Sequence, residues 1–344
     1  MQNFDIAGIM GSSIESIDAI ITNKKDHVNK LKIPKKDGTL RSLLAPSVEL
    51  KYIQKSVYYQ LFKRYRANDA AHGFVANRGI VTNAEPHVGA KSLGKIDISS
   101  FFDSIGVEHL MNCLFGNKQV CRMCNKYERM LDGKCNPSIY HNRSKSFDHG
   151  CEELKAVYIP EYCAATGYES LFKRVIEVCT FNGFAAQGFP TSPVLANIVM
   201  RGFDISMTKH CEEHGIVYTR YADDLSFSSK VLSKNELRDS VKDKAYSLLW
   251  AYGFKPNIKK TKWKQNYGML KVCGVVVNVK TSVQKFVLKR FRAQVHHATV
   301  KFASTTTPSR IRQLKGYASF VMSIDKAKGE KYMKQLTDFE ARNG

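Results

Sequence analysis

Three aspartates stand at positions from which they could bind metal ions together. Asp97 ends a short stretch, residues 95–98, that predicts a buried strand. Asp223 and Asp224 occupy the turn of a predicted strand–turn–strand unit over residues 216–229. If these strands are neighbours, the carboxylates converge on one edge of a sheet. Carboxylates are the ligands that Mg²⁺ prefers, and two ions about 3.5–4 Å apart can activate a hydroxyl and stabilise a leaving phosphate oxygen.

An Asp-Asp pair alone is a weak signal, because most such pairs lie in solvated turns. Here residues 221–224, Tyr-Ala-Asp-Asp, stand between apolar strands and resemble the catalytic box of reverse transcriptases. Residues 95–102, Lys-Ile-Asp-Ile-Ser-Ser-Phe-Phe, resemble the first aspartate box of that family. Residues 187–193, Gln-Gly-Phe-Pro-Thr-Ser-Pro, resemble the box between them, and the three occur in the family's order.

The resemblance implies a role for each matching residue. The ligands of two Mg²⁺ ions would be Asp97, Asp223, Asp224 and the Ile98 carbonyl. The contacts to the incoming deoxynucleotide would be Lys35, Arg41, Ile98, Phe102 and Gln187. A bulky ring at Phe102 would lie against the sugar 2′ carbon and disfavour ribonucleotides, although a buried core aromatic is the alternative. Lys35 and Arg41 would hold the triphosphate, and an ordinary basic hairpin is the alternative for them.

Residues 253–261, Gly-Phe-Lys-Pro-Asn-Ile-Lys-Lys-Thr, resemble a further box of the family. There the resemblance implies a lysine that protonates the departing pyrophosphate, which requires a well-placed ammonium. Lys260 is the predicted acid. The adjacent Lys259 is not separated from it by sequence, and a solvated loop lysine is the alternative for both.

Two further segments resemble the retron branch of the family. Residues 83–87, Asn-Ala-Glu-Pro-His, match its Asn-Ala-x-x-His element, and we expect Asn83 and His87 to contact nucleic acid. A lone histidine would more often be a packed or capping residue. Residues 272–274 read Val-Cys-Gly where retron enzymes carry Val-Thr-Gly, so Cys273 alters whatever contact the hydroxyl would make.

The retron resemblance implies partners as well as an activity. Such enzymes recognise a structured non-coding RNA, prime DNA synthesis from the 2′-OH of an internal guanosine, and produce branched RNA–DNA (msDNA). Many act with an effector protein in anti-phage defence. RNA recognition would fall to the basic C-terminal region, including Lys289, Arg290 and Arg292. A charged helix surface is the alternative.

Residues 116–165 form a polar insertion that is rich in cysteine, histidine and lysine. Cys121 and Cys124 form a CxxC pair, and Cys135 and Cys151 follow it. Four thiolates could hold a structural Zn²⁺ and order a small module that contacts RNA or an effector. Because Cys135 and Cys151 are not closely spaced, a flexible loop with incidental cysteines is the alternative.

The elements that would position these residues follow from local patterns. Residues 31–46 predict a hairpin with a turn at Asp37-Gly38, and a helix follows Pro46. Residues 191–205 predict a helix with Ser192 as N-cap. A strand is predicted over residues 271–279, and the chain beyond residue 284 is predicted to be helical.

The net charge of the chain and the length of its apolar runs indicate which partner it binds and where in the cell it acts. The chain has 53 Lys and Arg against 31 Asp and Glu, a net charge of +22 interleaved with aromatic residues. This excess predicts a polyanionic partner, and nucleic acid is the commonest. We find no apolar run near the ~20 residues that would span a bilayer, and no leader pattern. We therefore expect a cytoplasmic protein with reduced cysteines and no membrane partner.

Together these features predict an α+β right-hand polymerase. Residues 1–94 would be the fingers, residues 95–280 a palm whose antiparallel sheet is backed by helices, and residues 281–344 a helical thumb. Three alternatives stay open at this point. The chain could be an intron-encoded or abortive-infection reverse transcriptase, a nucleic-acid scaffold that restrains an effector, or a metal-dependent nuclease.

Overall fold

The computed structural model describes residues 6–34, 38, 40–115, 120–121, 126–127, 168–301 and 303–343. Two of the predictions fall outside this part of the chain. One is the triphosphate contact of Lys35. The other is the zinc site of Cys121, Cys124, Cys135 and Cys151, of which only the Cys121 backbone is included.

The secondary structure alternates between helices and short strands. The strands of the described residues are β1 (Val28–Pro34), β2 (Leu40–Pro46), β3 (Ser92–Ser99), β4 (Val120–Cys121), β5 (Lys126–Tyr127), β6 (Thr180–Phe181), β7 (Phe184–Ala185), β8 (Val217–Tyr221), β9 (Asp224–Ser229), β10 (Lys255–Gln265), β11 (Lys271–Val272) and β12 (Val275–Val276). The α-helices are α1 (Ile6–Met10), α2 (Ile14–Thr22), α3 (Val48–Val57), α4 (Ile80–Ala84), α5 (Val107–Phe115), α6 (Tyr168–Cys179), α7 (Ser192–Glu213), α8 (Lys234–Ala251), α9 (Lys285–His296), α10 (Pro308–Ile324) and α11 (Lys326–Asn343). The 3₁₀ segments are Glu85–His87, Phe102–Ser104 and Ala303–Thr305, and the π-helical turns are Tyr58–Phe62 and His297–Lys301.

A four-stranded antiparallel sheet, with strand order β10-β3-β9-β8, carries the predicted carboxylates. Successive side chains of a strand point to opposite faces. In β3, Ile96 and Ile98 are buried in the core, whereas Lys95 and Asp97 are partly exposed on the other face. Leu225, the register partner of Ile96 in β9, is buried on the same side. The alternation therefore turns the charged residues away from the core.

Helices back this sheet. Helix α8 contacts β3, β9 and β10, helix α7 contacts β8, and the two helices contact each other. Their apolar residues join the main core. The predicted α+β architecture, with an antiparallel sheet backed by helices, is therefore confirmed.

Helix α7 is longer than predicted. It continues past residue 205 to Glu213 and ends just before Gly215. The φ of Gly215 is +64°, the left-handed conformation that ends many helices. At its start, Thr191 rather than Ser192 is the N-cap, and the Ser192 hydroxyl instead donates to the Ala186 carbonyl at 2.7 Å.

The strand predicted over residues 271–279 is wrong. The segment folds back on itself as the hairpin of β11 and β12. Cys273 and Gly274 form its turn with φ of +47° and +86°. A two-residue turn with both φ values positive, and glycine second, matches the right-handed twist of paired strands. The apolar run concealed this turn, since only Gly274 marks it.

The predicted finger hairpin is confirmed. Strands β1 and β2 pair antiparallel from Val28 with Pro46 to Pro34 with Leu40. Helix α3 then begins after Ser47, whose hydroxyl caps it by accepting from the Leu50 N–H at 3.3 Å. The helix predicted after Pro46 is therefore also present.

The C-terminal helices α9, α10 and α11 enclose a core of their own, which includes Phe291, Leu314 and Leu336. This core begins at Val283, close to the thumb boundary predicted at residue 281. The boundary predicted at residue 94 falls inside β3, so one strand would belong to two domains. The division into fingers, palm and thumb stays a prediction. Among the helices that the structure describes, none is long and apolar enough to cross a membrane.

Candidate active site

The turn between β8 and β9 brings the three aspartates to one edge of the sheet. The antiparallel register pairs Asp97 directly with Asp224, and side chains of such pairs lie on the same face. Asp223 lies in the adjoining turn, where its carbonyl oxygen accepts from the Ile98 N–H at 3.0 Å. Ala222 makes this tight turn with a φ of +56°, a conformation uncommon for residues other than glycine.

Two lysines lie against the carboxylates. The Lys95 ammonium is 3.4 Å from Asp224 Oδ2, and the Lys260 ammonium is 3.2 Å from Asp97 Oδ1. Burial raises the pKa of Asp223, and the nearby carboxylates of Asp97 and Asp224 raise it further, against the opposing effect of Lys260. The direction of this shift shows that burial, together with two neighbouring carboxylates, makes the charged form of Asp223 less favourable than in water.

The donor set fits Mg²⁺. The carboxylates of Asp97, Asp223 and Asp224 are oxygen donors on one edge, as this hard cation requires. The Ile98 N–H points to the turn, and the N–H and carbonyl of a residue in a strand point to the same side. Regular strand geometry would place the Ile98 carbonyl on the same side, and its role as a metal ligand stays a prediction.

The two candidate lysines differ in position. Strand β10 pairs with β3, and the register shifts between Asn257 and Lys262, so both lysines lie in an irregular part of the strand. The backbone N–H of Lys260 donates to Asn257 Oδ1 at 3.3 Å, and its ammonium reaches Asp97. This contact favours Lys260 over Lys259 as the group that acts at the carboxylates.

The predicted nucleotide contacts lie where the finger hairpin meets the rest of the chain. The Leu44 N–H of β2 donates to the Gln187 carbonyl at 2.8 Å. Gly188 has a φ of +115°, and a Cβ there would lie 2.4 Å from the Leu44 carbonyl oxygen, so only glycine fits. Arg41 is exposed on the same strand. The structure thus brings Gln187 onto the hairpin that carries Arg41.

Phe102 is half-buried and begins the 3₁₀ segment that comes shortly after β3. Its ring centroid lies 5.4 Å from that of Phe101 and 6.2 Å from that of Phe74, which is 47% exposed. The turn of Ala222 and Asp223 is called the catalytic turn below, after its predicted role. Gly73, next to Phe74, packs on it so closely that a Cβ would lie 2.5 Å from the Ala222 nitrogen. Phe102 is therefore connected to the turn through Phe74, and it is not a fully buried core aromatic.

A profile of the family described as reverse transcriptase (RNA-dependent DNA polymerase) matches residues 33–302. The chain belongs to this family. It is 28% identical over 322 residues to the retron Mx162 reverse transcriptase of Myxococcus xanthus, with 90% of this chain and 60% of the relative covered. It is 25% identical over 336 residues to the retron Ec86 reverse transcriptase of Escherichia coli, with 96% and 87% covered. The resemblance to retron reverse transcriptases is therefore confirmed.

Among solved structures, the chain is similar to telomerase from Candida tropicalis in complex with a fragment of telomeric RNA. The TM-score is 0.45 at 13% identity, and 94% of this chain and 56% of that chain are covered. For telomerase from Candida albicans the TM-score is 0.40 at 10% identity, with 94% and 63% covered. The chain spans 60% of the length of the Mx162 enzyme, 63% of that of the retron Mx65 enzyme and 61% of that of the retron Ec83 enzyme.

Beneath the catalytic turn lies a buried ion pair that sequence reasoning missed. Arg220 Nε donates to Asp204 Oδ1 at 2.8 Å and one terminal nitrogen donates to Oδ2 at 2.6 Å, with both side chains fully buried. The same guanidinium donates to the Ala222 carbonyl at 3.2 Å and to Asn197 Oδ1 at 3.1 Å. The Asn197 amide in turn donates to the Gly73 carbonyl at 3.0 Å. Arg220 therefore fixes the catalytic turn and the segment packed on it.

A signal for this ion pair was present in the sequence. Arg220 lies within a strand that is otherwise buried, and Asp204 lies among apolar residues of α7. Charged residues at such positions are almost never buried unless they are paired. The sequence does not reveal which of the many opposite charges is the partner. Lys95, the counter-charge of Asp224, was likewise inside a recognised box without an assigned role.

Asn83 and His87 are fully buried, so their positions do not support direct contact with nucleic acid. His87 lies between the hydroxyls of Ser228 and Thr219, at 2.7 and 2.8 Å, and burial lowers its pKa to about 3. The Asn83 amide donates to Cys273 Sγ at 3.3 Å. The two segments that resemble the retron branch therefore contact each other, and His87 supports the catalytic hairpin from behind.

The basic residues predicted to bind RNA lie on α9. Lys289, Arg290 and Arg292 are all exposed. Arg290 also lines a cavity of about 420 Å³ together with Arg310 of α10 and His297. Lys289, Arg290 and Arg292 therefore lie at the surface of the C-terminal core, where a polyanion has access to them.

Proposed function

We propose that this protein is a retron reverse transcriptase, an RNA-directed DNA polymerase that copies a cognate structured RNA into short single-stranded DNA. The observation that carries the proposal is the register of the central sheet. It pairs Asp97 with Asp224 and leaves Asp223 beside them in the turn. Three carboxylates on one edge form a site for divalent cations, and the finger hairpin that meets Gln187 supports a polymerase rather than a nuclease.

In this proposal two Mg²⁺ ions are held by the carboxylates of Asp97, Asp223 and Asp224 and by the Ile98 carbonyl. Bound Mg²⁺ supplies activation of the attacking hydroxyl and stabilisation of the leaving pyrophosphate oxygens. Lys260 holds its ammonium at Asp97, from where it can donate a proton to the departing pyrophosphate.

Three further residues orient the incoming nucleotide. Arg41, with Lys35, binds the triphosphate through a planar fork that matches phosphate oxygens. Gln187 contacts the nucleotide near its 3′-OH. Phe102 lies against the 2′ carbon of the sugar and selects deoxynucleotides, which its partly exposed ring beside Phe74 supports.

The partners follow from the retron relatives and from the charge. The cognate non-coding RNA would bind the exposed cations of α9, including Lys289, Arg290 and Arg292. The internal guanosine 2′-OH of that RNA would prime synthesis, so that msDNA stays joined to its template. An effector protein would associate with this complex in anti-phage defence. The cysteines at 121, 124, 135 and 151 would hold a structural Zn²⁺.

The test is to extract nucleic acid from cells that express the gene with its flanking DNA, and to separate it on a denaturing gel. The wild type is compared with the double variant Asp223→Asn, Asp224→Asn. A matched control, Asp239→Asn with Asp243→Asn, removes two exposed carboxylates of α8. We expect a discrete short DNA whose mobility changes with RNase, absent from the first variant and present in the control.

The other outcomes separate the alternatives. Primer extension by purified protein on a supplied RNA–DNA hybrid, without any such DNA in cells, would keep the polymerase and reject the retron assignment. Effector restraint that persists in the double variant, without any DNA synthesis by the wild type, would favour the scaffold.

A further inference from the structure

The C-terminal end of α7 carries a cluster of metal-binding side chains away from the three aspartates. His210, Glu213 and His214 lie at spacings of three and four residues, which places them on one face of the helix. One ligand atom from each lies within 4.8 Å of the others. The two imidazole rings have their centroids 4.3 Å apart. Among the described residues, no other three such side chains bring one ligand atom each this close together, and Asp97, Asp223 and Asp224 lie farther apart than this limit.

Hydrogen bonds to backbone carbonyls orient both rings. His210 Nε2 lies 2.8 Å from the Ser240 carbonyl oxygen, and His214 Nδ1 lies 2.8 Å from the His210 carbonyl oxygen. Because a carbonyl can only accept, these ring nitrogens are the donors. In the neutral rings the lone pairs therefore belong to His210 Nδ1 and His214 Nε2. Histidines that bind metals commonly donate their other N–H in this way, which fixes the tautomer and the ring orientation.

The donor set identifies the class of ion. Two imidazole nitrogens and one carboxylate oxygen suit Zn²⁺ and related transition metals, whereas Mg²⁺ prefers oxygen ligands alone. Ligands in a tetrahedral zinc site lie about 3.4 Å from one another for bonds of about 2.0–2.1 Å. Glu213 and His214 are exposed, so their side chains can move to shorten the ligand–ligand distances from within 4.8 Å to about 3.4 Å. The half-buried His210 keeps its hydrogen bond to α8.

We propose that His210, Glu213 and His214 form a surface site for one zinc-class transition-metal ion, with a fourth position open to solvent or to a ligand from a partner. The site is separate from the polymerase centre. It lies just before β8, and the catalytic turn is at the far end of that strand, about 16 Å away along it. Metal binding here would stabilise the last turn of α7 without adding a ligand to the three aspartates.

The test is a zinc titration of untagged, full-length protein by calorimetry. The variant His210→Gln, His214→Gln removes both imidazoles, and His296→Gln removes an exposed histidine of α9 as a matched control. Because the cysteines of residues 116–165 could bind zinc as well, the measured quantity is the difference in stoichiometry between proteins. We expect the wild type and the control to bind one equivalent more than the double variant. Equal stoichiometry and affinity in all three would overturn the proposal.

Two additions keep the result interpretable if the double variant folds poorly. Glu213→Gln keeps both rings and removes the carboxylate, and we expect weaker zinc binding at this site with an unchanged circular dichroism spectrum. Cobalt titration distinguishes the ligands, since thiolate ligation gives strong charge-transfer bands and this site gives only weak d–d bands. Loss of the weak bands alone in the double variant supports the site. Their persistence would reject it.

Discussion

The four-stranded sheet has ion pairs in two different environments, one at the edge that carries the aspartates and one buried beneath it. On the edge, Lys260 contacts Asp97 at 3.2 Å, and the lysine side chain is 65% exposed while that of the aspartate is 15% exposed. Beneath it, Arg220 binds Asp204 through two bonds of 2.6 and 2.8 Å with both side chains fully buried. Exposed pairs contribute about 0–1 kcal/mol, so cations and substrates can replace them readily. A buried pair cannot lose one partner at such low cost. The ion pair at the edge can therefore give way to cations and substrate, whereas the buried ion pair that supports the turn must stay intact.

Breaking the buried pair should have the largest effect on stability. We expect Arg220→Met to lower the free energy of unfolding by about 3–5 kcal/mol, because Asp204 would stay charged in the core without a counter-charge, with the Tyr218 hydroxyl as its remaining donor. The Ala222 carbonyl would also lose its donor. Urea unfolding measures the change. The matched control is Arg238→Met, which breaks an exposed pair with Asp239 and should cost less than about 1 kcal/mol.

The double variant Arg220→Met, Asp204→Leu sharpens this prediction. Replacing both partners by apolar residues removes the unpaired charge, so part of the lost stability should return. Polymerase activity should stay low, since the turn would lack its guanidinium. Equal losses of unfolding free energy in Arg220→Met and Arg238→Met would contradict the conclusion that the buried pair supports the turn.

The second prediction concerns the other buried support, His87. Its pKa is lowered to about 3 by burial, against about 6.5 in an unfolded chain. The unfolded state therefore binds a proton first as the pH falls below about 6.5, and stability should fall with decreasing pH from there towards 3. One such group contributes about 1.4 kcal/mol per pH unit in this window. We expect His87→Gln to flatten the dependence of the unfolding free energy on pH between 6.5 and 4.

Two comparisons make the His87 measurement decisive. The pKa of His72 is lowered to about 4, chiefly by burial, so a smaller slope should remain in His87→Gln. The exposed His296→Gln should leave the slope unchanged. An identical slope in wild type and His87→Gln would show that His87 is not buried in its neutral form.

The third prediction concerns Lys260, which contacts Asp97 at the edge of the sheet. We expect Lys260→Gln to lower kcat for nucleotide incorporation by about 100-fold, the lower range for loss of a general acid. Lys259→Gln is the matched control, because it changes the same charge one residue away and should retain most activity. Purified protein on an RNA–DNA hybrid gives both values, and Lys260→Gln should leave thermal stability nearly unchanged. Equal losses for the two lysines would contradict the assignment.

Sequence was sufficient for the parts that depend on local pattern. The apolar strand around Asp97 and the turn at Asp223 and Asp224 are local features, and the structure places them in neighbouring strands. The fingers hairpin followed from its turn residues for the same reason. In contrast, the turn at Cys273 was hidden in an apolar run, and the stop of α7 was placed too early.

The remaining failures involve contacts between distant residues. Asp204 and Arg220 are 16 positions apart, and Asn83 and Cys273 are 190 positions apart. The sequence pattern shows that Arg220 lies in a buried strand, but it does not show which residue carries the opposite charge. The same limit explains why Asn83 and His87 were expected to face nucleic acid. Their motif was recognisable, whereas their burial depends on strands more than a hundred residues away.

The last and smallest effect should come from the contact between those two retron-like segments. Cys273→Ala removes the acceptor of the buried Asn83 amide, and an unsatisfied buried donor costs about 1–3 kcal/mol. Cys273→Ser keeps an acceptor. Serine is chosen over threonine because a β-branched side chain would be strained at a φ of +47°. We therefore expect the serine variant to be more stable than the alanine variant in thermal unfolding. Equal stability would show that the Asn83–Cys273 contact does not stabilise the packing of residues 83–87 against the β11–β12 hairpin.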